Sequence, residues 1–392
     1  MNSALRSLLL AAVLLPAAAM SQIREEYLPL VELLSTSPER EPSEGNLVQF
    51  FECGPEVFSL MQEDIMAAKK TIHSEFFLFD QDEAGFLFRT GFRLKALEGV
   101  EVRYISEDFT QKASFINPMR KSGVDVKHHP FFPLRPRNHQ KFLLIDCSVG
   151  YCGGANITMG NFFEWDDMSV RVQGPVVAKM EMAYAKMWKK RKGKESAWEI
   201  RAAEPYEGGV IVQSVAEFPK EKSRLNLNAY IWALDHAREY FYAKSPYLKP
   251  PEELIEAMIN AARRGVDVRL LLPALKDPPT GVIVPFERVF YEDLMKAGVH
   301  IHIRTDKFDH GKMFVSDGYL SAVGSVNLDV LSLVSNYENN LFFYDEGIAS
   351  ELRRFIEEDM SNDNELTPEQ VEAFPRWQSA FKGTFRVLGH LF

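Results

Sequence analysis

The sequence predicts an α/β protein of two similar lobes. Each is read as a mixed, mostly parallel sheet flanked by helices, and a pseudo-twofold sets one active site between them. Three observations carry this reading. The pattern H-x-K-x-x-x-x-D occurs twice, at His139, Lys141 and Asp146 and again at His310, Lys312 and Asp317. The copies keep one register beyond it: Gly153 or Gly324 lies fourteen residues past the histidine, Asn156 or Asn327 seventeen past, and Asp167 or Glu338 twenty-eight past. The order of strand and helix patterns around each copy also repeats.

In the first half, TIHSEFFLF (71–79) is rich in aromatic and β-branched residues and reads as a strand. A helix ending in KALEG (95–99) leads to a second strand, VEVRYI (100–105). KSGVDVKHH (121–129) gives a third, and KFLLID (141–146) a fourth that turns through a hairpin into YCGGANI (151–157). The second half repeats this order with EYFYAKSPYL (239–248), NAARRGVDVRLLLP (260–273), MKAGVHIHIR (295–304) and KMFVSDGYLSAVGSVNL (312–328). Each glycine between helix and strand is expected to cap the helix C-terminus. The lobes are set at 46–205 and 206–360. They are preceded by a linker over 21–45, rich in charge and proline, and followed by a tail over 361–392.

A chain of 392 residues with 46% hydrophobic and 26% charged residues has ample material for a folded core. The net charge of −10 weighs against a protein that works on nucleic acid through a basic surface. Three cysteines (Cys53, Cys147 and Cys152) make no disulfide framework and have no zinc-type spacing. Cys147 and Cys152 flank the hairpin and are read as small apolar residues, with pairing in an exported chain as the alternative. Residues 1–20 hold Arg6, a thirteen-residue apolar run from Leu8 to Met20, and Ala17 and Ala19 as small residues for cleavage. That run is short for a bilayer span and fits an export signal or a segment that dips into a membrane.

The doubled motif carries the chemistry. On a strand, residues two apart share a face about 7 Å apart, which stacks each imidazole beside an ammonium. The imidazole can attack phosphorus or move a proton near neutral pH, while the lysine offsets charge on the non-bridging oxygens. Asn156 and Asn327 can add neutral donors to those oxygens. Asp146 and Asp317, where strand meets hairpin, are expected to cap turn amides. Asp167 and Glu338 are the candidates to hold imidazole Nδ1. His128, His129, His300 and His302 have no repeated partner of this kind and read as strand positions. No carboxylate–histidine cluster has metal spacing, so no metal and no cofactor is expected.

These residues resemble the phospholipase D superfamily, and more closely its bacterial cardiolipin synthase branch. The likeness runs over about residues 45–360 and is carried by IHSEFFLFDQDEAGFLF (72–88), RPRNHQKFLLIDCSVGYCGGANI (135–157), WDDMSVRVQGP (165–175) and DHGKMFVSDGYLSAVGSVNLDVLSLVSNYENN (309–340). The resemblance implies a metal-independent phosphatidyl transfer in two steps. His139 would attack the phosphodiester to give a phosphohistidine, and His310 would serve as acid and then base. It places Lys141, Lys312, Asn156, Asn327 and Ser325 at the substrate phosphate, and Asp167 and Glu338 behind the histidines. Two phosphatidylglycerol molecules would yield cardiolipin and glycerol. The chain departs from its relatives at Val330 and Leu331, where proline and arginine are common, and at Cys147, where the hairpin usually has glycine. The first departure leaves the headgroup preference open.

A lipid substrate implies a peripheral association with an anionic membrane surface. From Pro375 to Phe392, Trp377, Phe381, Phe385, Leu388 and Phe392 fall on one helical face beside Arg376, Lys382 and Arg386. Packing of that helix on the lobes is the equal alternative. The loops HPFFPLRPRN (129–138) and DPPTGVIVPF (277–286) are candidates for the mouth of the site. The competing activities are a phospholipase D-type hydrolase, which accepts water, and a nuclease or other phosphodiesterase, against which the charge and the apolar leader weigh. A lipid-binding module without catalysis would be signalled by decay of either motif, and neither has decayed. The sequence is silent on oligomeric state.

Overall fold

A computed structural model describes residues 21–52, 54–108, 112–130, 136–193, 200–274, 284–361 and 364–373. The expected leader (1–20), the amphipathic stretch 375–392 and most of the two mouth loops lie outside these residues. The first half supplies strands β1 (Ser43–Phe51), β2 (Thr71–Phe76), β3 (Glu101–Glu107), β4 (Asp125–His129), β5 (Phe142–Ile145), β6 (Val149–Gly153) and β7 (Ser169–Gln173). The second supplies β8 (Val210–Glu217), β9 (Tyr240–Lys244), β10 (Leu248–Lys249), β11 (Asp267–Pro273), β12 (His300–Arg304) and β13 (Met313–Ser316). It continues with β14 (Leu320–Gly324), β15 (Leu328–Asp329), β16 (Glu338–Tyr344) and β17 (Asn364–Glu365).

Fifteen of these strands form one sheet in the order β17-β12-β11-β9-β13-β14-β16-β8-β1-β7-β6-β5-β2-β3-β4, and β10 pairs with β15 apart from it. The order around the seam is the same in each direction, which gives the pseudo-twofold arrangement. The seam is the antiparallel pair β1–β8, so the lobes share a sheet rather than owning one each. The expectation of mostly parallel lobes is corrected by the pairing. Within the fifteen-stranded sheet only β2–β3–β4 and β9–β11–β12 run parallel; the strands between them and the seam are antiparallel. The cause is the connections: helical crossovers link the outer strands, and tight hairpins follow each motif.

Helices cover both faces. Glu252–Arg263 shows why they form: Leu254, Ile255, Ala257, Met258 and Ala261 recur at helical spacing and are all buried. Gly99, Gly123, Gly265 and Gly298 end their helices at φ 92°, 97°, 94° and 99°, as the C-cap reading requires. One buried cluster crosses the seam and joins Val170, Val172, Val177 and Met180 to Val212, Val323, Leu341 and Ile356.

Three expectations meet a different structure. Residues 21–45, read as a polar linker, contain a helix over Leu28–Leu34 with Leu30, Val31 and Leu34 at 0% exposure. Those side chains join the core of the second half, and Tyr27 packs 4.9 Å from Tyr319. Of the charged residues that suggested a linker, Arg24, Glu25 and Glu26 are exposed, whereas Glu39 and Arg40 are buried and Arg40 donates to the Ala216 carbonyl at 2.9 Å. The tail expected from 361 begins as β17 on the free edge of β12, followed by a short helix, Pro368–Glu372, with a Thr367/Gln370 capping box. Finally, His139 and Lys141 are not on a regular strand: β5 begins at Phe142, and the histidine belongs to an extended approach to it.

Candidate active site

The approach segments decide the site. Asn138 and Tyr337 form an isolated parallel bridge, and so do Asp166 and Asp309. The His139 N–H donates to the Tyr337 carbonyl at 2.9 Å and the His310 N–H to the Asp166 carbonyl at 2.6 Å. Each bridge ties the residues before one histidine to those before the other half's acid. His139 Nδ1 therefore lies 2.9 Å from Glu338 Oε2, and His310 Nδ1 lies 2.6 Å from Asp167 Oδ2. The two carboxylates pair crosswise, a relation that the equal offset of twenty-eight residues does not encode.

Both acids are fully buried and held from behind. Asp167 accepts from the Met168 N–H and from Asn161 Nδ2, each at 2.8 Å. Glu338 accepts from the Ser325 hydroxyl, which in turn accepts from the Asn339 N–H at 2.9 Å. Ser325 was expected at the substrate phosphate. Its hydroxyl is instead committed to Glu338, behind the imidazole. The counterpart of Ser325 is Gly154, where an added Cβ would meet Asp167 Oδ1 at 2.0 Å. The shorter acid thus sits where the first half has no side chain, and the longer one sits against a hydroxyl.

The two lysines lie beneath the histidines. Lys141 Nζ donates to the His139 carbonyl at 2.7 Å. Lys312 Nζ donates to the His310 carbonyl and lies 2.9 Å from His310 Nδ1. An ammonium has only protons to give, so Asp167 is the group that takes a proton held on Nδ1. Burial pushes the His310 pKa down to about 4, aided by the Lys312 charge. Burial also lowers His139, against the pull of Glu338. In the free site both rings therefore favour the uncharged form, with Nδ1–H on a carboxylate and Nε2 carrying the lone pair. Lys141 is drawn down to about 7, chiefly by burial and then by Lys312 nearby. Burial alone would raise Asp167, but His310 and Lys312 hold it below its ordinary value.

His139, His310, Asn156 and Asn327 all line one cavity of about 380 Å³. Asn156 Oδ1 accepts from the Leu78 N–H at 3.1 Å, which leaves its amide NH₂ for that space. The wall is lopsided: Arg137 and Asn336 stand two residues before His139 and Glu338, whereas Phe308 and Trp165 hold the same positions before His310 and Asp167. Phe77 meets His139 edge-on at 5.1 Å, and Trp165 lies 5.5 Å from His310.

Asp146 and Asp317 lie away from the cavity. The carboxylate of Asp146 accepts from the N–H groups of Lys69, Lys70 and Thr71 at 2.7–2.8 Å. Asp317 accepts in the same way from Arg238, Glu239 and Tyr240 at 2.7–3.0 Å. The amides belong to the start of the neighbouring strand, β2 or β9, rather than to the aspartate's own hairpin. In that hairpin Asp146 and Cys147 have φ of 52° and 54°, and Asp317 and Gly318 have 47° and 65°. Two successive positive φ values mark a type I′ turn, for which Gly318 suits and Cys147 does not. Cys147 and Cys152 are free thiols. His128, His129, His300 and His302 lie on β4 and β12.

Several contributors escaped the sequence reading because the repeat does not preserve them. Asn161 steadies Asp167 but is matched by Ser332 in the other copy. Asn138 is clasped by Glu75 at 2.8 Å and Glu107 at 3.1 Å, two carboxyls that burial pushes up to about 7. The matching positions of Glu75 and Asn138 are Lys244 and Asp309, a salt bridge of 3.0 Å. Among the described residues no group of three or more His, Cys, Asp or Glu is arranged to hold a metal ion.

Residues 61–188 and 230–360 each match the family model described as cardiolipin synthase, PLD-like domain. A cardiolipin synthase of Listeria monocytogenes is 30% identical over 385 residues, covering 93% of this chain and 79% of that one. Cardiolipin synthase 1 of Staphylococcus epidermidis is 28% identical, covering 88% and 74%. A crystal structure of phosphatidylserine synthase from Haemophilus influenzae superposes with a TM-score of 0.70 over 94% of this chain and all of that one, at 12% identity, a likeness of fold.

Proposed function

The chain belongs to the cardiolipin synthase, phospholipase D-like family, and we propose that it is a phosphatidyltransferase that makes cardiolipin and glycerol from two phosphatidylglycerol molecules. The observation that carries this reading is the crossed arrangement: two imidazoles, each backed by the other half's carboxylate, on one cavity.

In the first step Nε2 of one histidine attacks phosphorus. The P–O bond to glycerol breaks, and the other histidine, protonated on both nitrogens once the phosphate anion is bound, gives its Nε2 proton to the departing glycerol. In the second step that histidine takes a proton from the terminal hydroxyl of a second phosphatidylglycerol. The alkoxide oxygen attacks phosphorus, the P–N bond breaks, and both rings return to their starting state. The family resemblance assigns the attack to His139 and the proton transfers to His310. Glu338 and Asp167 fix the Nδ1–H tautomer and stabilise the ring as it gains positive charge. Lys141, Lys312 and the Asn156 and Asn327 amides offset charge on the non-bridging oxygens. Ser325 acts through Glu338.

A phospholipid substrate requires membrane association. No described helix is long and apolar enough to cross a membrane. We place the enzyme peripherally on an anionic bilayer, and the basic, aromatic stretch 375–392 is the proposed contact. The test is incubation of the purified protein with phosphatidylglycerol vesicles and resolution of the lipid products. Cardiolipin with stoichiometric glycerol is expected; phosphatidic acid alone would mean a hydrolase, and no lipid product would refute the reading.

A further inference from the structure

The two halves are least alike where β10 meets β15. Leu248 pairs with Leu328 and Lys249 with Asp329 in a short parallel ladder, and both Lys249 and Asp329 line the cavity. The first half has the same bridge between Phe79 and Ile157, which puts Asp80 and Thr158 at the matching positions. Neither of those residues lines the cavity.

Part of the role of Asp329 is shared with its counterpart. The Ser332 N–H donates to Asp329 Oδ1 at 2.8 Å, and the Asn161 N–H donates to Thr158 Oγ1 at 3.0 Å. Each contact opens the π-helical turn that runs on to the acid, Leu331–Ser335 or Gly160–Glu164. A neutral hydroxyl satisfies this turn in the first half. The second half spends a carboxylate there, with a second oxygen and a charge that the turn does not need. It also buries Lys249, only 5% exposed, where Asp329 and Glu287 both favour its ammonium form. Confinement works against charge on both, holding Asp329 above and Lys249 below their ordinary values, a desolvation cost that a hydroxyl and an apolar residue would avoid. A ligand with one part that donates hydrogen bonds and one that is anionic would account for both.

We propose that Asp329 and Lys249 form the subsite for the accepting lipid's headgroup, an inference that rests on the transferase reading. The Asp329 carboxylate accepts from the secondary hydroxyl of the acceptor's glycerol, and the Lys249 ammonium pairs with the acceptor's own phosphodiester. The primary hydroxyl is thereby presented to the phosphohistidine. Its oxygen attacks phosphorus, the P–N bond breaks, and its proton passes to the second imidazole. An alcohol with neither a neighbouring hydroxyl nor a phosphate gains nothing from the pair.

That asymmetry supplies the test. Full-length protein, in wild-type form and as Asp329→Asn and Lys249→Met, is incubated with phosphatidylglycerol vesicles containing 1-butanol as a competing acceptor. Cardiolipin and phosphatidylbutanol are measured in the same sample, so any unfolded fraction cancels from their ratio. Each variant is expected to lower that ratio tenfold or more, and Lys249→Arg to recover most of it. An unchanged ratio in both variants overturns the subsite even where total turnover falls. A wild type that makes phosphatidylbutanol but no cardiolipin overturns the cardiolipin-forming reading on which the subsite rests.

Discussion

His139 draws its carboxylate from the other half of the chain: Glu338 Oε2 lies 2.9 Å from Nδ1, across 199 residues of sequence. The reciprocal pair, His310 with Asp167, spans 143 residues. Neither lobe holds a complete histidine–acid couple, so the site exists only when both are folded against one another. His139→Asn and His310→Asn should each lower turnover by at least about 10³-fold while moving the thermal midpoint little. Activity retained in either variant, measured on folded protein, rules out the two-histidine scheme.

The four acids of the doubled motif divide by what they hold. Asp167→Asn and Glu338→Gln remove the charge behind each imidazole, and turnover should fall by roughly 10²–10⁴-fold in folded protein. Asp146→Asn and Asp317→Asn each weaken three charge-assisted bonds to backbone amides, at a cost of about 2–3 kcal/mol in stability. Chemical denaturation beside initial rates separates the two classes. The opposite pattern would reverse the assignment.

Gly154 is an unmarked position with a sharp constraint. A methyl group added there meets Asp167 Oδ1 at 2.0 Å and the His310 carbonyl at 3.0 Å. Gly154→Ala should displace the carboxylate from His310 and reduce turnover by two orders of magnitude or more. The same change at Gly208, where an added Cβ meets nothing within 4 Å, should leave turnover alone despite its positive φ. Equal rates for wild type and Gly154→Ala would show that Asp167 does not need its present place.

Lys141 titrates at about 7 because it is buried near a second ammonium. A bound phosphate anion favours the charged lysine and raises that pKa. Between pH 7 and 8 the complex therefore holds more protons than the free protein, and affinity weakens as pH rises through this range. Calorimetry with inorganic phosphate, in buffers of differing ionisation enthalpy, should register proton uptake that Lys141→Met removes. Proton release would contradict the assignment.

His310 carries the opposite linkage to folding. Its pKa is about 4 in the folded chain, against an ordinary value near 6.5. Between those values the unfolded chain binds the extra proton, so stability is full above pH 6.5 and declines by about 3 kcal/mol as pH falls toward 4. His310→Asn should flatten that part of the pH–stability curve, as read by urea midpoints.

The repeat made much of this site legible. The register from His139 to Asp167 and from His310 to Glu338 marked the two acids, and glycines ending four helices marked the α/β order. What stayed hidden lacks a repeated partner or depends on distant contacts. Asn161 faces Ser332 in the repeat, and Ser325 faces Gly154. The crossing of acids between halves is a property of β-bridges that no local spacing records. The helix over Leu28–Leu34 was obscured by charged neighbours, although its apolar face closes the second half's core. Cys147 at φ 54° is a departure visible in both sequence and backbone. Cys147→Gly should relieve about 1 kcal/mol of left-handed strain, detectable as a higher thermal midpoint.

The continuous sheet has a mechanical consequence. A hydrogen-bonded seam between β1 and β8, with a core packed across it, ties the described parts of the two halves together. Opening the halves like a clamshell would break that seam and expose the core packed across it. On the proposed reading the phosphodiester enters past Phe308 and Trp165, which line the cavity on the His310 side.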